Sequence, residues 1–213
     1  MKAANEISSS VIGRLPRYYR FLCELQNSGA ERISSSELSK RMGLTASQIR
    51  QDFNCFGGFG QQGYGYNVEQ LKNEMAMILG LNTPKKAILI GAGNLGRAVA
   101  AQMRFDDMGF HLIGIFDIDE TYQGLKIKGI PIRTDRELYP FCSEHRPEMA
   151  ILCLPQNKAP AVVDELILLG IDSFWNFSHY DIHDKYPGAN VENVHLSDSL
   201  MTLSYKIKNS ESR

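Results

Sequence analysis

The sequence predicts an α/β protein with three parts: an N-terminal winged helix-turn-helix, a Rossmann-like doubly wound parallel sheet and a C-terminal helix. Two short capped helices flank the turn "MGLT", which is the spacing of a helix-turn-helix. A glycine- and aromatic-rich segment follows them. Beyond residue 85, apolar strands alternate with helices, which indicates a parallel sheet covered by helices on both faces.

Length, composition and charge are those of an ordinary globular protein. The chain has 213 residues, 43% of them hydrophobic and 22% charged, and a net charge of −1. The first 60 residues carry eight Lys or Arg against five acids, a mildly basic balance that suits nucleic acid. No signal-peptide core or membrane-length apolar run is visible, so we expect a cytoplasmic protein without a membrane partner. The four cysteines show neither metal-ligand nor disulfide spacing, and no metal site is predicted.

Three helices are predicted in the first 55 residues. The first covers residues 14–28, with Pro16 in its first turn. The second opens at Ser34 and Glu37, which have the spacing of a capping box, and the third repeats that device with Thr45 and Gln48. On spacing alone, a three-helix bundle without a role in DNA binding explains this pattern equally well.

The segment "FGGFGQQGYGYNV", residues 56–68, favours DNA binding. Glycine runs that cradle phosphate lie between a buried strand and a helix, whereas a helix precedes these glycines. The aromatic residues suit two strands, and the glycines suit the tight turn between them. We therefore interpret the segment as the β-hairpin wing of a winged helix. An amphipathic helix over 68–80 and a linker broken at Thr83–Pro84 complete the first part.

The second part contains four predicted strands at 87–90, 111–117, 149–155 and 173–178. One helix, "RAVAAQM", follows the first strand, and another, over 159–170, lies between the last two. A short strand, "VENVHL", precedes the final helix "SDSLMTLSYKI". The predicted domains are residues 1–80, the winged-helix domain; residues 81–196, the Rossmann domain; and residues 197–213, the C-terminal helix and tail.

The motif "GAGNLG" follows a buried strand and opens a helix, as in dinucleotide-binding folds. Gly91 allows the tight turn, Gly93 lets the backbone approach a pyrophosphate, and Gly96 lets the helix pack closely on the strand. The helix N-terminus supplies amide donors for the phosphates. The predicted cofactor-binding residues are Gly91, Ala92, Gly93, Asn94, Leu95, Gly96 and, from the next strand, Asp117.

Asp117 indicates which dinucleotide binds. It ends the second strand, 21 residues past Gly96, where an acid accepts hydrogen bonds from the adenosine ribose hydroxyls. Asp119 and Glu120 follow without a nearby arginine, so a 2′-phosphate would be repelled. The sequence therefore predicts NAD(H) rather than NADP(H).

The sequence predicts no catalytic residue. Tyr122 and Lys126 imitate the Tyr-x-x-x-Lys pair of short-chain dehydrogenases, but they follow the ribose acid and lie far from the nicotinamide. None of the five histidines is a convincing catalytic base, and the substrate-binding half of a two-domain dehydrogenase is missing. A cofactor without a substrate site indicates that the cofactor is a signal. A small NAD-dependent dehydrogenase stays open as an alternative.

The order of these parts resembles the Rex family of bacterial redox-sensing repressors, and the resemblance covers nearly the whole chain. It is carried by "RLPRYYRFL", "SSSELSKRMGLTASQIRQDF", "FGGFGQQGYGYNVEQL", "GAGNLGRA", "FDID", "GIPI", "WNFS" and "ENVHLSDSL". The resemblance implies a homodimer whose C-terminal helices exchange between subunits. It also implies binding to an inverted-repeat DNA operator and release from it when NADH binds.

The resemblance also indicates which residues contact DNA. The recognition helix is about 45–55, where Gln48 and Arg50 match the family pattern and Gln51 stands where a basic residue is usual. In the wing, Gln61 and Gln62 replace the family's usual Lys/Arg pair before Gly63. Losing phosphate contacts would weaken DNA binding and make it less dependent on salt. Glutamine can also read adenine in the major groove, so an operator of different sequence is an equal alternative to weaker binding. The predicted DNA-binding residues are Arg14, Arg17, Thr45, Ser47, Gln48, Arg50, Gln51, Gln62 and Gly63.

Two positions differ from the family's switch. The family often has a tyrosine in the helix after the nucleotide loop and an aspartate in the strand "ENVD", which pairs with an N-terminal arginine, here Arg20. This sequence has Gln102 and His195 at those two positions. Either another acid such as Asp198 substitutes, or the coupling is weaker. The alternative is a Rex-like repressor that is uncoupled from redox state or answers another ligand.

Overall fold

A computed structural model describes residues 7–57 and 64–210 of the chain. The chain divides into two compact units between Thr83 and Pro84. Within the described ranges, no helix combines the length and apolar character needed to cross a bilayer.

The first unit is a small helical domain with a two-stranded sheet. Its helices are α1 (Ser9–Ile12), α2 (Leu15–Asn27), α3 (Ser35–Met42), α4 (Ala46–Asn54) and α5 (Val68–Ile78). Its strands are β1 (Arg32–Ile33) and β2 (Tyr66–Asn67), which pair antiparallel. The three predicted helices correspond to α2, α3 and α4, whereas α1 and β1 were not predicted because each is too short to show a hydrophobic period.

Local signals account for the turn between α3 and α4. Ser34 and Glu37 form the predicted capping box at the start of α3. Gly43 ends that helix with φ +65°, a left-handed conformation that glycine adopts without strain. Thr45 caps α4 by accepting the Gln48 amide at 3.1 Å. The expectation of a second capping box is wrong, because the Gln48 side chain turns away from Thr45 and donates to Asp52 instead.

α4, the predicted recognition helix, is anchored by its buried side chains. Ile49 and Phe53 of α4 are buried, and the Phe53 ring packs edge-on against Tyr18 at 5.0 Å and Tyr66 at 5.2 Å. These contacts join α4 to α2 and to β2. Residues 58–63 of the predicted wing, including Gln62 and Gly63, lie outside the described residues. The C-terminal end of the predicted wing forms β2, which pairs with β1, the strand that lies between α2 and α3 in the chain.

The second unit is built on a seven-stranded sheet. The strands are β3 (Lys85–Ile90), β4 (Phe110–Asp117), β5 (Lys126–Ile127), β6 (Ile130–Thr134), β7 (Met149–Leu152), β8 (Ser173–Asn176) and β9 (Asn190–Asn193). The helices are α6 (Asn94–Gln102), α7 (Leu138–His145), α8 (Ala159–Leu168) and α9 (Leu196–Ser210). Short 3-10 turns cover Phe105–Met108, Glu120–Tyr122 and Asp135–Glu137.

The sheet has the strand order β5-β6-β4-β3-β7-β8-β9. All pairs are parallel except β5 with β6 at one edge. Without that edge strand, the order is the 3-2-1-4-5-6 of a Rossmann fold. The order reverses between β3 and β7, and a crevice at the carboxyl ends of these strands is where such sheets bind ligands.

Helices cover both faces of the sheet. Buried Ile88 and Ile90 of β3 pack on the side of α7 and α8, whereas Leu89 packs on the side of α6 with Ala100. β5, β6 and α7 were not predicted: the strands at 126–134 are short and partly exposed, and Pro140 interrupts the helical pattern of α7. α9 differs from the other helices because none of its residues is buried.

Candidate nucleotide-binding cleft and nucleic-acid interface

At two positions in the loop that joins β3 to α6, the fold leaves no room for a side chain. Gly91 has φ +98°, and an added Cβ would strike the Cys153 carbonyl group after β7. A Cβ at Gly96 would overlap the Gly91 carbonyl oxygen. Gly93 differs, because a Cβ there would meet no protein atom within 4 Å. Internal packing therefore explains Gly91 and Gly96 but does not explain Gly93, which borders the cleft.

The N-terminus of α6 faces the same loop. Gly93 is the N-cap residue, and no side chain caps the first turn, which contains Asn94 and Leu95. Leu95 is partly exposed, and Asn94 accepts a hydrogen bond from Arg97. The amides at this end are donors beside the positive end of the helix dipole, an arrangement that binds anions.

Asp117 lies at the end of β4, next to the glycine loop. Its Oδ2 accepts from the Ala92 amide, and its Oδ1 accepts from the Asp119 amide at 2.8 Å. Each carboxylate oxygen has two lone pairs, so both retain capacity to accept a ribose hydroxyl. The hydrogen bond from Ala92 holds the Asp117 carboxylate against the glycine loop.

A cleft of about 300 Å³ opens at the carboxyl ends of β3, β4 and β7. Gly91, Gly93 and Asp117 line its polar side. Apolar side chains form much of the rest of the wall, among them Ile90, Phe116, Leu138, Leu154 and Val162. An apolar slot beside a carboxylate and free helix amides fits the adenosine and pyrophosphate of a dinucleotide.

The cleft has no reactive thiol at neutral pH. Cys153 lines it, but burial raises the pKa of its thiol to about 12. Tyr122 also lines the cleft, with its ring 4.6 Å from the Arg97 guanidinium. Lys126, four residues on, lies on the edge strand β5 and is not among the lining residues. Tyr122 and Lys126 therefore do not form a dehydrogenase pair in this cleft.

In the first unit, α4 exposes one polar face. Ser47, Arg50, Gln51 and Asn54 recur at helical spacing and are all exposed. Arg50 donates to Ser35 at the start of α3 at 3.1 Å, which holds its guanidinium near that face. This face contains several of the predicted DNA-binding residues, with Thr45 exposed at its amino end.

Two other predicted DNA-binding residues, Arg14 and Gln48, converge on Asp52, which the sequence reasoning missed. Arg14 Nε and Nη2 donate to Oδ2 and Oδ1 of Asp52, each at 2.7 Å. Gln48 Nε2 donates to Oδ1 at 2.9 Å, and the Tyr18 hydroxyl donates to Oδ2 at 2.8 Å. The Asp52 side chain is 1% exposed. A charged residue amid buried α4 positions was the only sequence signal for this cluster.

The cluster sets the protonation of its members. Burial opposes ionisation of Asp52, but hydrogen bonds from Arg14, Gln48 and Tyr18 outweigh it and hold the pKa of the carboxyl below its ordinary value. Burial, with the hydrogen bond to Asp52, raises the pKa of Tyr18. Asp52 is therefore a carboxylate and Tyr18 a neutral phenol at neutral pH.

The predicted switch residues lie at exposed positions in both units. Arg20 and Arg17 are exposed on α2. In the second unit, Gln102 is the exposed last residue of α6, and Asp198 is in the first turn of α9. His195, just before α9, contacts His179: their Nδ1 atoms are 2.7 Å apart. Asp198 is bound to His195 through its backbone amide and the His195 carbonyl.

Both halves of the chain match family models. Residues 6–54 match the model described as "Putative DNA-binding protein N-terminus", and residues 82–180 match the model described as "CoA binding domain". Two curated relatives are named "Redox-sensing transcriptional repressor Rex". The one from Caldanaerobacter subterraneus subsp. tengcongensis is 52% identical over 96% of this chain and 91% of its own. The one from Clostridium beijerinckii is 47% identical over the whole of both chains.

The chain is also similar to solved structures of a protein called RSP. RSP in complex with β-NAD⁺ and operator DNA has a TM-score of 0.87 and 50% identity, covering 96% of this chain and 94% of that one. RSP in complex with β-NADH has a TM-score of 0.87 and 45% identity, covering 97% of each chain.

Proposed function

The chain belongs to the Rex family of redox-sensing transcriptional repressors, and on that premise we propose that it binds an inverted-repeat operator as a homodimer and is released by NADH. It is a DNA-binding regulator rather than an enzyme. One observation carries the proposal: the same chain has a helix with an exposed polar face, α4, and a cleft lined by a carboxylate, Asp117, that can accept hydrogen bonds from a ribose. We place its action in the cytoplasm, where operator DNA lies.

The cofactor is NAD(H), held by the cleft of the second unit. The Gly93 backbone and the first amides of α6 bind the pyrophosphate, and Asp117 accepts from the adenosine ribose. Solved RSP complexes with β-NAD⁺ and β-NADH support this assignment. A ribose phosphate, as in NADP(H) or coenzyme A, would be repelled by Asp117 and the neighbouring Asp119.

The homodimer is supported by the surface of α9. Leu196, Leu200, Leu203 and Ile207 form one stripe along the helix, and each is at least 50% exposed. Met201 and Tyr205 are exposed on the opposite side. A helix with apolar residues on two sides needs cover on both, and insertion into a second copy of the chain provides it.

DNA binding is carried by the exposed face of α4. Ser47, Arg50 and Gln51 reach the major groove, and Arg17 contacts phosphate from α2. Solved RSP bound to operator DNA supports this assignment. NADH releases the operator because it binds more tightly to a dimer arrangement whose recognition helices do not fit both half-sites.

The test is binding of the purified protein to a fluorescent inverted-repeat duplex at fixed salt, titrated separately with NADH, NAD⁺, NADPH and coenzyme A. We expect NADH to release DNA at a much lower concentration than NAD⁺, and the two phosphorylated ligands to have no effect. Tight DNA binding that ignores all four ligands would contradict the sensing role. Release by coenzyme A alone would replace the cofactor assignment.

A further inference from the structure

Asp52 has the full set of hydrogen bonds that a carboxylate can accept. Each of its two oxygens takes two donors: Oδ1 binds Arg14 Nη2 and Gln48 Nε2, and Oδ2 binds Arg14 Nε and the Tyr18 hydroxyl. A carboxylate has about four lone-pair positions, so this one is saturated. Three of the four bonds, from Arg14 at the N-cap of α2 and from Tyr18 in α2, join α2 to α4, and the fourth, from Gln48, lies within α4.

This arrangement fixes which way the Gln48 amide points. An ionised carboxylate only accepts hydrogen bonds, so the amide nitrogen of Gln48 must face Asp52 and its oxygen must face away. When the Nε2 hydrogen trans to Oε1 is the one donated to Asp52, the remaining Nε2 hydrogen and Oε1 lie beside each other on the outer edge of the amide. That edge presents one donor next to one acceptor, in a fixed order.

A donor beside an acceptor matches adenine in the major groove, where N7 accepts and the N6 amino group donates. Gln48 is half-buried on α4, next to the exposed Ser47 and close to Gln51. An amide held in one orientation before binding loses less conformational freedom when it meets a base.

We propose that Asp52 is a positioning residue for base recognition, which orients the Gln48 amide to read one adenine in each operator half-site. The inference rests on the proposed DNA-binding function. Asp52 itself does not touch DNA, because its side chain is buried and saturated. Asp52 also holds Arg14, through its Nε and Nη2 atoms, and leaves Nη1 without a bond to Asp52. The same carboxylate therefore fixes the orientation of both the Gln48 amide and the Arg14 guanidinium.

The experiment replaces single adenines of the operator half-site with 7-deazaadenine, which removes N7 and retains the N6 amino group. The operator is first selected from randomised duplexes with the wild-type protein, and affinities are measured by fluorescence anisotropy at fixed salt. We expect one adenine in each half-site at which this replacement weakens wild-type binding about fivefold or more, as for a specific base contact.

Three variants assign that effect. Gln48→Ala removes the amide that reads the base. Asp52→Asn can present either a donor or an acceptor to Gln48, so it no longer fixes the orientation of the amide. In both variants, 7-deazaadenine at that position should weaken DNA binding less than twofold. Tyr18→Phe is the matched control, because it removes one donor to Asp52 without touching Gln48. It should keep the full discrimination. A purely structural role for Asp52 would lower affinity for all duplexes equally and leave the discrimination intact, which would overturn the proposal.

If Asp52→Asn does not fold, the side-chain amide spectrum of the wild type decides the question, with Gln48→Ala used to assign the signals. One Gln48 Nε2 proton should exchange slowly with water because it is bonded to Asp52. Fast exchange of both protons would overturn the proposal. A wild-type protein that binds no duplex in the selection would instead contradict the proposed function, and the inference would fall with it.

Discussion

The imidazoles of His179 and His195 share a hydrogen bond between their Nδ1 atoms, which are 2.7 Å apart. Such a bond requires one ring to donate and the other to accept, so only one of the two Nδ1 atoms carries a proton. His195 occupies the position at which the Rex family often has an aspartate, and in this chain it is paired within its own unit. The loop before β9 and the segment before α9 are thereby tied together.

The first prediction concerns the coupling between NADH and DNA. His195→Asp introduces the carboxylate that the family pattern pairs with Arg20. We expect NADH to reduce the operator affinity of this variant about fivefold more than it reduces that of the wild type, because the pair adds coupling energy between the two sites. His179→Asp is the control: it breaks the histidine pair without placing an acid before α9, and aspartate tolerates the positive φ of +60° there. Operator binding with and without NADH measures both variants. Equal responses from the two would show that losing the pair matters, rather than gaining the acid.

The second prediction separates two glycines of the nucleotide loop. Gly96→Ala forces a Cβ against the Gly91 carbonyl, so we expect the second unit to lose about 1–3 kcal/mol of unfolding free energy. Gly93→Ala meets no protein atom and should leave that free energy unchanged, while NADH binds about tenfold more weakly, or by about 1.4 kcal/mol. Thermal unfolding with and without NADH reads out both effects. Unaltered NADH affinity in Gly93→Ala would show that the cofactor does not approach this backbone.

The third prediction concerns acid stability. The pKa of Asp52 is lower in the folded protein than its ordinary value of 3.8, so its contribution is fully present above that pH and is lost as pH falls toward the folded value. Asp52→Asn should therefore cost about 1–3 kcal/mol at pH 7 and show a shallower loss of stability below pH 4. Urea unfolding of both proteins between pH 7 and pH 3 tests this. If the unfolding free energies of the two proteins fell in parallel below pH 4, Asp52 would not contribute to the loss of stability in acid.

The fourth prediction concerns α9 and the dimer. Leu200→Glu or Leu203→Glu places an unpaired carboxylate in the apolar stripe, and burying it costs about 3 kcal/mol or more, which raises the dimer dissociation constant by roughly 100-fold. Thr202→Glu adds the same charge on the polar side of α9 and should leave the dimer intact. Sedimentation velocity distinguishes the species. Dimers of unchanged strength in both stripe variants would place the interface elsewhere.

The fifth prediction concerns thiol reactivity. Burial raises the pKa of Cys142 to about 11 and of Cys153 to about 12, so both thiols are almost entirely protonated at pH 8. Cys55 is exposed at the end of α4. Iodoacetamide should therefore modify Cys55 well before Cys142 or Cys153, as followed by peptide mass spectrometry. Early modification of Cys153 in the native protein would contradict its burial in the cleft wall.

Much of the fold could be read from local signals. The capping box at Ser34, the glycine at position 43 and the alternation of apolar strands and helices are short-range patterns, and each corresponds to an observed element. β5, β6 and α7 could not be predicted in this way. Their residues are partly exposed or interrupted by proline, so they acquire regular structure from pairing and packing with distant parts of the chain.

Residue spacing was enough to predict the nucleotide motif and the helix-turn-helix, because both depend on residue types at set intervals: glycines in the loop after β3, and caps three residues before their partners. The side-chain contacts, in contrast, became visible only in the folded chain. Arg14 and Asp52 are separated by 38 residues and His179 and His195 by 16, so no local period relates them. Arg14 and Gln48, both predicted to contact DNA, donate to the buried Asp52 carboxylate. A buried charge such as Asp52 is tolerated only where hydrogen-bond donors surround it, and the packing of α2 on α4 brings those donors together.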